Sequence, residues 1–427
     1  MKVLILIHDY LPEHAGGSEL HAHQVARELL ARGHEVTVLC TERHLGRPEG
    51  DWTELEVDGV PVVEVVHQRE YPRLDEVWTQ SLYAEVFRAA LRRLEPDVVH
   101  VHHLAFWGAR CLEVAREEGV RTVVTLHDFF LACNGSVLLQ GEELCDGGGP
   151  EGACGACLPG ELLPDGLADA DRAAALEQAG RDRRDLHRRM LALADVVVSP
   201  SRQLFERLGA MGLEVPPERA AVVLYGYPGP RAGTRTLAAD GPLRVGYLGG
   251  IYPAKGVHVL LEAMAELGRR DRAGRRPIRL EVRGHMTWFP DYAERLTAMA
   301  ADLPPGVAVD FAGPYASGDA AEVLAAMDVL VVPSIWVENR PITISEAYLA
   351  GVVPVVTGLG GMAESVRDGV DGLHFARADA AELADRLAGL ADEPGLWDRL
   401  AAGRPELPDV GAVVDELLGF YRGGAAG

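Results

Sequence analysis

The sequence predicts an α/β protein of two domains, each a parallel sheet with helices on both faces. Three observations lead there. With 427 residues the chain is long enough for two domains of the usual ~100–200 residues. Short apolar runs alternate with helical patterns throughout, as in a parallel sheet covered on both sides. The alternation breaks over residues 227–240 (YPGPRAGTRTLAAD) into Pro, Gly, Ala and polar residues that read as an interdomain linker.

In the first half the strand candidates are residues 3–7, 36–40, 62–66, 98–102, 122–127, 196–199 and 222–225. Residues 18–32 read as a helix with Ala22, Val25, Ala26, Leu29 and Leu30 on one face, Ser18 as N-cap and Gly33 as the C′ residue. After the linker the candidates are residues 243–248, 278–282, 307–311, 329–332 and 353–356, again with helices between. The expected domains are 1–226, carrying a Cys-containing, Gly-rich insert at about 133–185, and 241–408. A last helix within residues 409–427 is expected to pack back toward the first domain.

Apolar residues make up 48% and charged residues 25%, ordinary for a soluble globular chain. The apolar start spans residues 3–7, too short for a signal peptide or a membrane span, and no other run approaches ~20 apolar residues. The reading is a cytoplasmic protein, with peripheral contact at the inner face of a membrane left open. A net charge of −23 argues against nucleic acid as a partner, because phosphates would be repelled. The basic run 181–189 (RDRRDLHRR) reads as a solvated helix face. Oligomeric state is left open.

Open parallel sheets bind ligands at the carboxyl ends of strands, where loops feed helix N-termini. The first strand leads into His8-Asp9-Tyr10-Leu11-Pro12 and then Gly16-Gly17, a cradle for phosphate or sugar, or else a tight turn. It is not the GxGxxG of a nicotinamide dehydrogenase. Two more strands end in His100, His102 and His103 and in His127-Asp128, groups suited to binding sugar hydroxyls. In the second half, Gly249-Gly250 closes a strand and Lys255-Gly256 opens the next helix, where a cation and helix amides together suit a diphosphate. The strongest signal is the segment from Glu338 through Asn339, Arg340, Pro341, Ile342 and Thr343 to Glu346. Glu338 falls on a loop, and Glu346 about one turn inside the following helix. Amides at the helix start are ready for phosphate, and carboxylates accept hydrogen bonds from vicinal hydroxyls, so the segment fits a sugar nucleotide.

These residues resemble the E-x7-E signature of the retaining glycosyltransferases of family four. The resemblance extends over Pro333-Ser334-Ile335-Trp336-Val337, Glu346-Ala347, residues 351–356 (GVVPVV) and Gly360-Gly361-Met362-Ala363-Glu364, with Asp368-Gly369 and Asp371-Gly372. In the first half it takes in Pro12, Gly16-Gly17, Gly33-His34-Glu35-Val36, residues 97–102 (DVVHVH) and Ser199-Pro200-Ser201, so it covers nearly the whole chain. It implies the GT-B fold, two Rossmann-like domains whose parallel sheets face a central cleft. It also implies roles. Three residues are catalytic: Glu338 meets the donor sugar, His127 touches the transferred sugar, and Lys255 holds the diphosphate. The amides of Ile342 and Thr343, next to Pro341, support Lys255. Glu346 holds the ribose, Tyr315 lies at the base, and Gly16 and Gly17 pack against donor phosphate and acceptor. One departure stands out: Gly249-Gly250 occupies the place where the family usually carries Gly-Arg. Arg283 or Arg340 could replace that second phosphate cation, and which one is open.

The implied reaction moves a hexose-type sugar from a nucleotide diphosphate donor to an acceptor hydroxyl, with no cofactor required for catalysis. Front-side attack is favoured, since no carboxylate is placed as a covalent nucleophile. Asp169-Ala170-Asp171, in an Ala-rich helical insert, reads as chance rather than a metal motif. Donor base, sugar and acceptor (polysaccharide, lipid-linked glycan or natural product) stay open. The alternatives are a nucleotide-sugar epimerase of the same fold and a non-catalytic sugar-nucleotide-binding scaffold. Cys40 and Cys111 read as core thiols. Cys133, Cys145, Cys154 and Cys157 cluster in the insert, the last two as C-x-x-C, and in a cytosolic protein that points to metal rather than disulfides. Structural zinc is the expectation, an iron–sulfur cluster the second choice, and disulfides or free thiols the alternative.

Overall fold

The computed structural model describes residues 1–147, 154–229, 232–233, 235–270, 274–304, 307–393 and 395–424. The strands of the first half are β1 (Lys2–Leu6), β2 (Glu35–Glu42), β3 (Trp52–Val57), β4 (Val60–Val66), β5 (Val98–Val101), β6 (Arg121–Thr125), β7 (Leu139–Gln140), β8 (Glu143–Leu144), β9 (Val196–Ser199) and β10 (Ala220–Val222). Those of the second are β11 (Leu243–Leu248), β12 (Ile278–Arg283), β13 (Ala308–Gly313), β14 (Val329–Val332), β15 (Val353–Thr357) and β16 (Leu373–Phe375). They fall into two units. The first takes Met1–Leu138, Cys145–Pro228 and Pro408–Gly427, and the second takes Leu139–Leu144 and Gly229–Leu407.

The first unit has a sheet ordered β10-β9-β6-β5-β1-β2-β4-β3, parallel except for β3 on its edge. The second has a parallel sheet ordered β13-β12-β11-β14-β15-β16. Each order reverses direction beside its founding strand, between β1 and β5 and between β11 and β14. At such a switch point the two loops diverge to opposite faces and open a crevice at the carboxyl ends.

The apolar runs are continuous because both faces of these sheets are covered. Along β14, Val329 and Val331 join a core with Val245, Tyr247 and Leu280. Leu330 and Val332, pointing the other way, join Ile344, Tyr348 and Met362. The β7–β8 hairpin is part of the second unit, where Glu142 meets Arg295 at 2.7 Å and its carbonyl accepts from Arg377.

The helix Val410–Tyr421 belongs to the first unit. Asp409 caps it by accepting from the Ala412 amide at 2.7 Å. Val413, Val414, Leu417, Leu418, Phe420 and Tyr421 enter the core that the Gly17–Ala31 helix and β1 also line. Arg32 ties the two helices by donating to the Gly411 carbonyl at 2.7 Å and pairing with Asp415. Tyr421 and His100 share a buried hydrogen bond of 2.6 Å.

Several expectations are corrected. Ser18 lies inside the first helix, whose N-cap is the extended Gly16 with no side-chain cap bond. Strands β3 and β16 were not anticipated. The basic run 181–189 is solvated along one side only, with Arg181, Arg188 and Arg189 exposed. On the helix Asp169–Leu191, Arg183, Arg184 and His187 are buried against the insert. Arg184 donates to the Gly147 carbonyl at 2.7 Å, and His187 Nδ1 donates to the Leu131 carbonyl at 2.8 Å. No helix among the described residues is long and apolar enough to cross a membrane.

Candidate active site

At the switch point of the second unit the loops after β11 and β14 touch. Gly256 has φ +69°, and a Cβ there would lie 2.0 Å from the Pro333 carbonyl oxygen, so only glycine fits. That approach brings Lys255 Nζ to 2.7 Å from Glu338 Oε1. The same oxygen accepts Ser334 Oγ at 2.7 Å and Trp336 Nε1 at 2.8 Å. Burial works against the charge of Lys255, but Glu338, with Tyr252, outweighs it and raises the lysine pKa above its ordinary value.

Helix Ile342–Ala350 begins beside this pair. Its N-cap is Pro341, with no side-chain cap bond. The first amides, those of Ile342 and Thr343 among them, have no acceptor within the helix and carry its positive pole. Glu346 stands one turn in, where burial lifts its carboxyl to about 7. Half-buried Tyr315 lies nearby and is pushed up to about 12 by burial and then by Glu346. Of the two candidate cations, Arg283 is committed to Glu281 at 2.6 Å. Arg340 Nε is buried without a hydrogen-bond partner.

The switch point of the first unit gathers imidazoles. The rings of His8 and His103 are 4.2 Å apart. His8 Nε2 lies 3.4 Å from Glu19, and His103 Nε2 lies 3.2 Å from Asp128. The Glu19 carboxylate folds close over Gly16, where a Cβ would sit 2.5 Å from its oxygen; Gly17 follows as the first residue of its helix. Both ring nitrogens of His127 are engaged, Nδ1 with Tyr225 Oη at 2.7 Å and Nε2 with His102 Nδ1 at 3.2 Å. Burial holds His8, His102 and His127 well below the usual histidine range and lowers His21 and His100 to about 3. His103 goes the other way: burial opposes its charge, but Asp128 prevails and its pKa rises. Asp128 thus favours the charged form of His103 while burial disfavours it in the neighbouring rings, and His102, His103, His127, Asp128, Phe130 and Leu131 line a pocket.

Sequence reasoning flagged His102, His103 and Asp128 singly but missed Glu19 and His21 as their neighbours. The signal was the spacing: both lie on the helix that starts at Gly17, a few residues past the strand end. It also missed Trp336 and Tyr252 as neighbours of Lys255, although both flank residues it had singled out.

The cysteine expectation finds no support. Among the described residues no three His, Cys, Asp or Glu side chains are grouped to hold a metal ion, and all four cysteines are described. None of the four forms a disulfide; Cys133 is buried and Cys157 exposed. Arg184 Nη2 lies 3.0 Å from Cys154 Sγ, which also donates to the Gly147 carbonyl at 3.2 Å. That bonding engages Cys154 within the insert, and the described residues give no support to a zinc or iron–sulfur site. Residues 148–153 of the insert lie outside the described residues.

Comparison with known proteins yields consistent likenesses. Residues 16–226 match the model of a glycosyl transferase 4-like domain, and residues 234–403 that of glycosyl transferases group 1. The D-inositol 3-phosphate glycosyltransferase of Frankia alni is 30% identical over 406 residues, covering 91% of this chain and 89% of its own length. Sucrose-phosphate synthase from Thermosynechococcus elongatus superimposes with TM-score 0.69 at 17% identity, over 99% of this chain and 98% of its own. The HepE protein of Anabaena, solved with UDP and glucose, gives 0.65 at 18% identity, over 99% and 100%. The fold is the GT-B fold that the sequence resemblance implied.

Proposed function

This chain belongs to the group 1 glycosyl transferases, and on that premise we propose that it moves a hexose-type sugar from a nucleoside diphosphate to an acceptor hydroxyl with retention of configuration. One observation carries the proposal: Lys255 and Glu338 meet at 2.7 Å at the switch point of the second unit, beside the open N-terminus of helix Ile342–Ala350. In this reading Lys255 and the amides of Ile342 and Thr343 receive the diphosphate, where they stabilise the charge that grows as the sugar departs. Glu346 takes the ribose hydroxyls and Tyr315 lies at the base. Glu338 faces the donor sugar. In the first unit His127 contacts the sugar in transit, and Gly16 and Gly17 leave room for phosphate and acceptor.

Front-side attack is the mechanism favoured in this reading. Oε1 of Glu338 is committed to Lys255, Ser334 and Trp336, which holds the carboxylate as a hydrogen-bond acceptor with Oε2 toward the sugar hydroxyls. The departing phosphate then takes the acceptor proton.

The test incubates the protein with UDP-, GDP- and ADP-glucose and a panel of acceptors, beginning with the D-inositol 3-phosphate named for the Frankia alni relative. Acceptor-dependent release of nucleoside diphosphate, with an α-linked product from an α-linked donor, is expected. Lys255→Met should lower kcat/KM by about a hundredfold, the loss of a charged hydrogen bond at a developing charge. An inverted product refutes retention, and a sugar trapped on Glu338 refutes front-side attack. Conversion of donor without acceptor would mean an epimerase, and binding without turnover of any donor would mean a scaffold.

A further inference from the structure

We propose that Trp336 is a positioning residue for the donor diphosphate, acting through Lys255; the inference rests on the donor reading above. A lysine ammonium rides on a flexible, strongly hydrated stem, and ordering it costs entropy that an anion would otherwise have to recover on binding. Here the ammonium is seated in advance. Nζ lies 5.4 Å from the Trp336 ring centroid, 5.7 Å from that of Tyr252 and 2.7 Å from Glu338 Oε1.

Trp336 enters this seat twice. Its π face attracts the cation, an interaction that strengthens out of water, and Trp336 is buried. Its Nε1–H donates at 2.8 Å to the same carboxylate oxygen that pairs with Lys255. Ser334 donates to that oxygen as well, at 2.7 Å. Together they hold the Glu338 carboxylate in one orientation, and the carboxylate in turn holds the ammonium. None of the three bonds reaches Oε2, which stays oriented by them and suits a ligand hydroxyl. Trp336 therefore need not touch the donor to govern how well its diphosphate is received.

The two contributions separate by substitution. Trp336→Phe keeps an aromatic face and loses the N–H, whereas Trp336→Leu loses both. The experiment measures calorimetric dissociation constants of UDP, GDP and ADP, and of the matching monophosphates, for the wild type and both variants. For the diphosphate that the wild type binds most tightly, about tenfold weakening is expected in Trp336→Phe and about a hundredfold in Trp336→Leu, with a change under about threefold for its monophosphate. General damage to the site would weaken both nucleotides alike, so equal losses overturn the proposal. Unchanged diphosphate binding in Trp336→Phe overturns it too, and that variant decides the matter even where the leucine variant fails to fold. A wild type that binds no nucleoside diphosphate overturns the donor reading itself, a different and separately visible result.

Discussion

Acidification from about pH 7.5 to about pH 5 should destabilise the first unit, through its buried imidazoles. His21 and His100 are 4% and 0% exposed, and burial lowers both to about 3 from an ordinary 6.5. A histidine whose pKa is depressed on folding binds its proton first in the unfolded chain. Its stabilising contribution is therefore complete above the unfolded value and is lost as the pH falls below it. Between 6.5 and about 5 each histidine costs about 2 kcal/mol, at roughly 1.4 kcal/mol per unit, so the pair costs about 4 kcal/mol. For a unit of this size that is a drop in Tm of about 8–16 °C. His8, His102, His127 and His187, also held well below the usual range by burial, add to the loss. His103, Asp9 and Glu19, all raised, offset part of it. The assay is thermal melting across this pH range, with hydrogen exchange of β1, β5 and β6 corrected for intrinsic rates. A melting temperature that holds or rises on acidification, with those strands equally protected, would refute the reasoning.

Glu346 sets a pH dependence of a different kind. In the proposed donor reading its carboxyl, lifted to about 7, must ionise to accept two ribose hydroxyls, so calorimetric UDP affinity should fall by up to about tenfold per unit below that value. Glu346→Gln should flatten the profile, and a wild-type profile that is already flat would sink the assignment. Gly256→Ala should destabilise by about 2 kcal/mol or more, since the new Cβ meets the Pro333 oxygen at 2.0 Å in a left-handed conformation. Denaturant titration reads this, and a change under about 0.5 kcal/mol would contradict the close contact. Tyr421→Phe should cost about 1–3 kcal/mol by orphaning His100 Nδ1, visible as a lower Tm with donor binding unchanged.

Most of the fold was legible because buried parallel strands announce themselves as valine-rich runs, and β5, β9 and β14 fall where those runs lie. Strand β3, Trp-Thr-Glu-Leu-Glu-Val, has exposed charged residues on an edge and resembles a surface segment. Strand β16 is three residues long, too short to show a period. Ser18 fitted a cap by residue type, but the helix starts one residue earlier, where Gly16 lets Glu19 approach. The Lys255–Glu338 contact was invisible in one dimension. The two residues are 83 positions apart and meet because the strand order reverses between β11 and β14. Charge counting misread Arg183 and Arg184, because an arginine run is solvated only where nothing polar covers it. Here the Phe130 and Gly147 carbonyls do. The four cysteines clustered in sequence, yet a ligand set also requires at least three side chains to converge in space, and no spacing rule reports that.

The helix Val410–Tyr421 finishes the core of a unit whose other segments lie before Pro228. On the ribosome, then, the half of the chain that emerges first is completed last. Its apolar groove waits, uncovered, while the whole stretch from Gly229 to Leu407 is translated. A fragment cut at the linker would keep that groove open, and would be expected to need the missing helix supplied as a separate peptide before it stayed in solution.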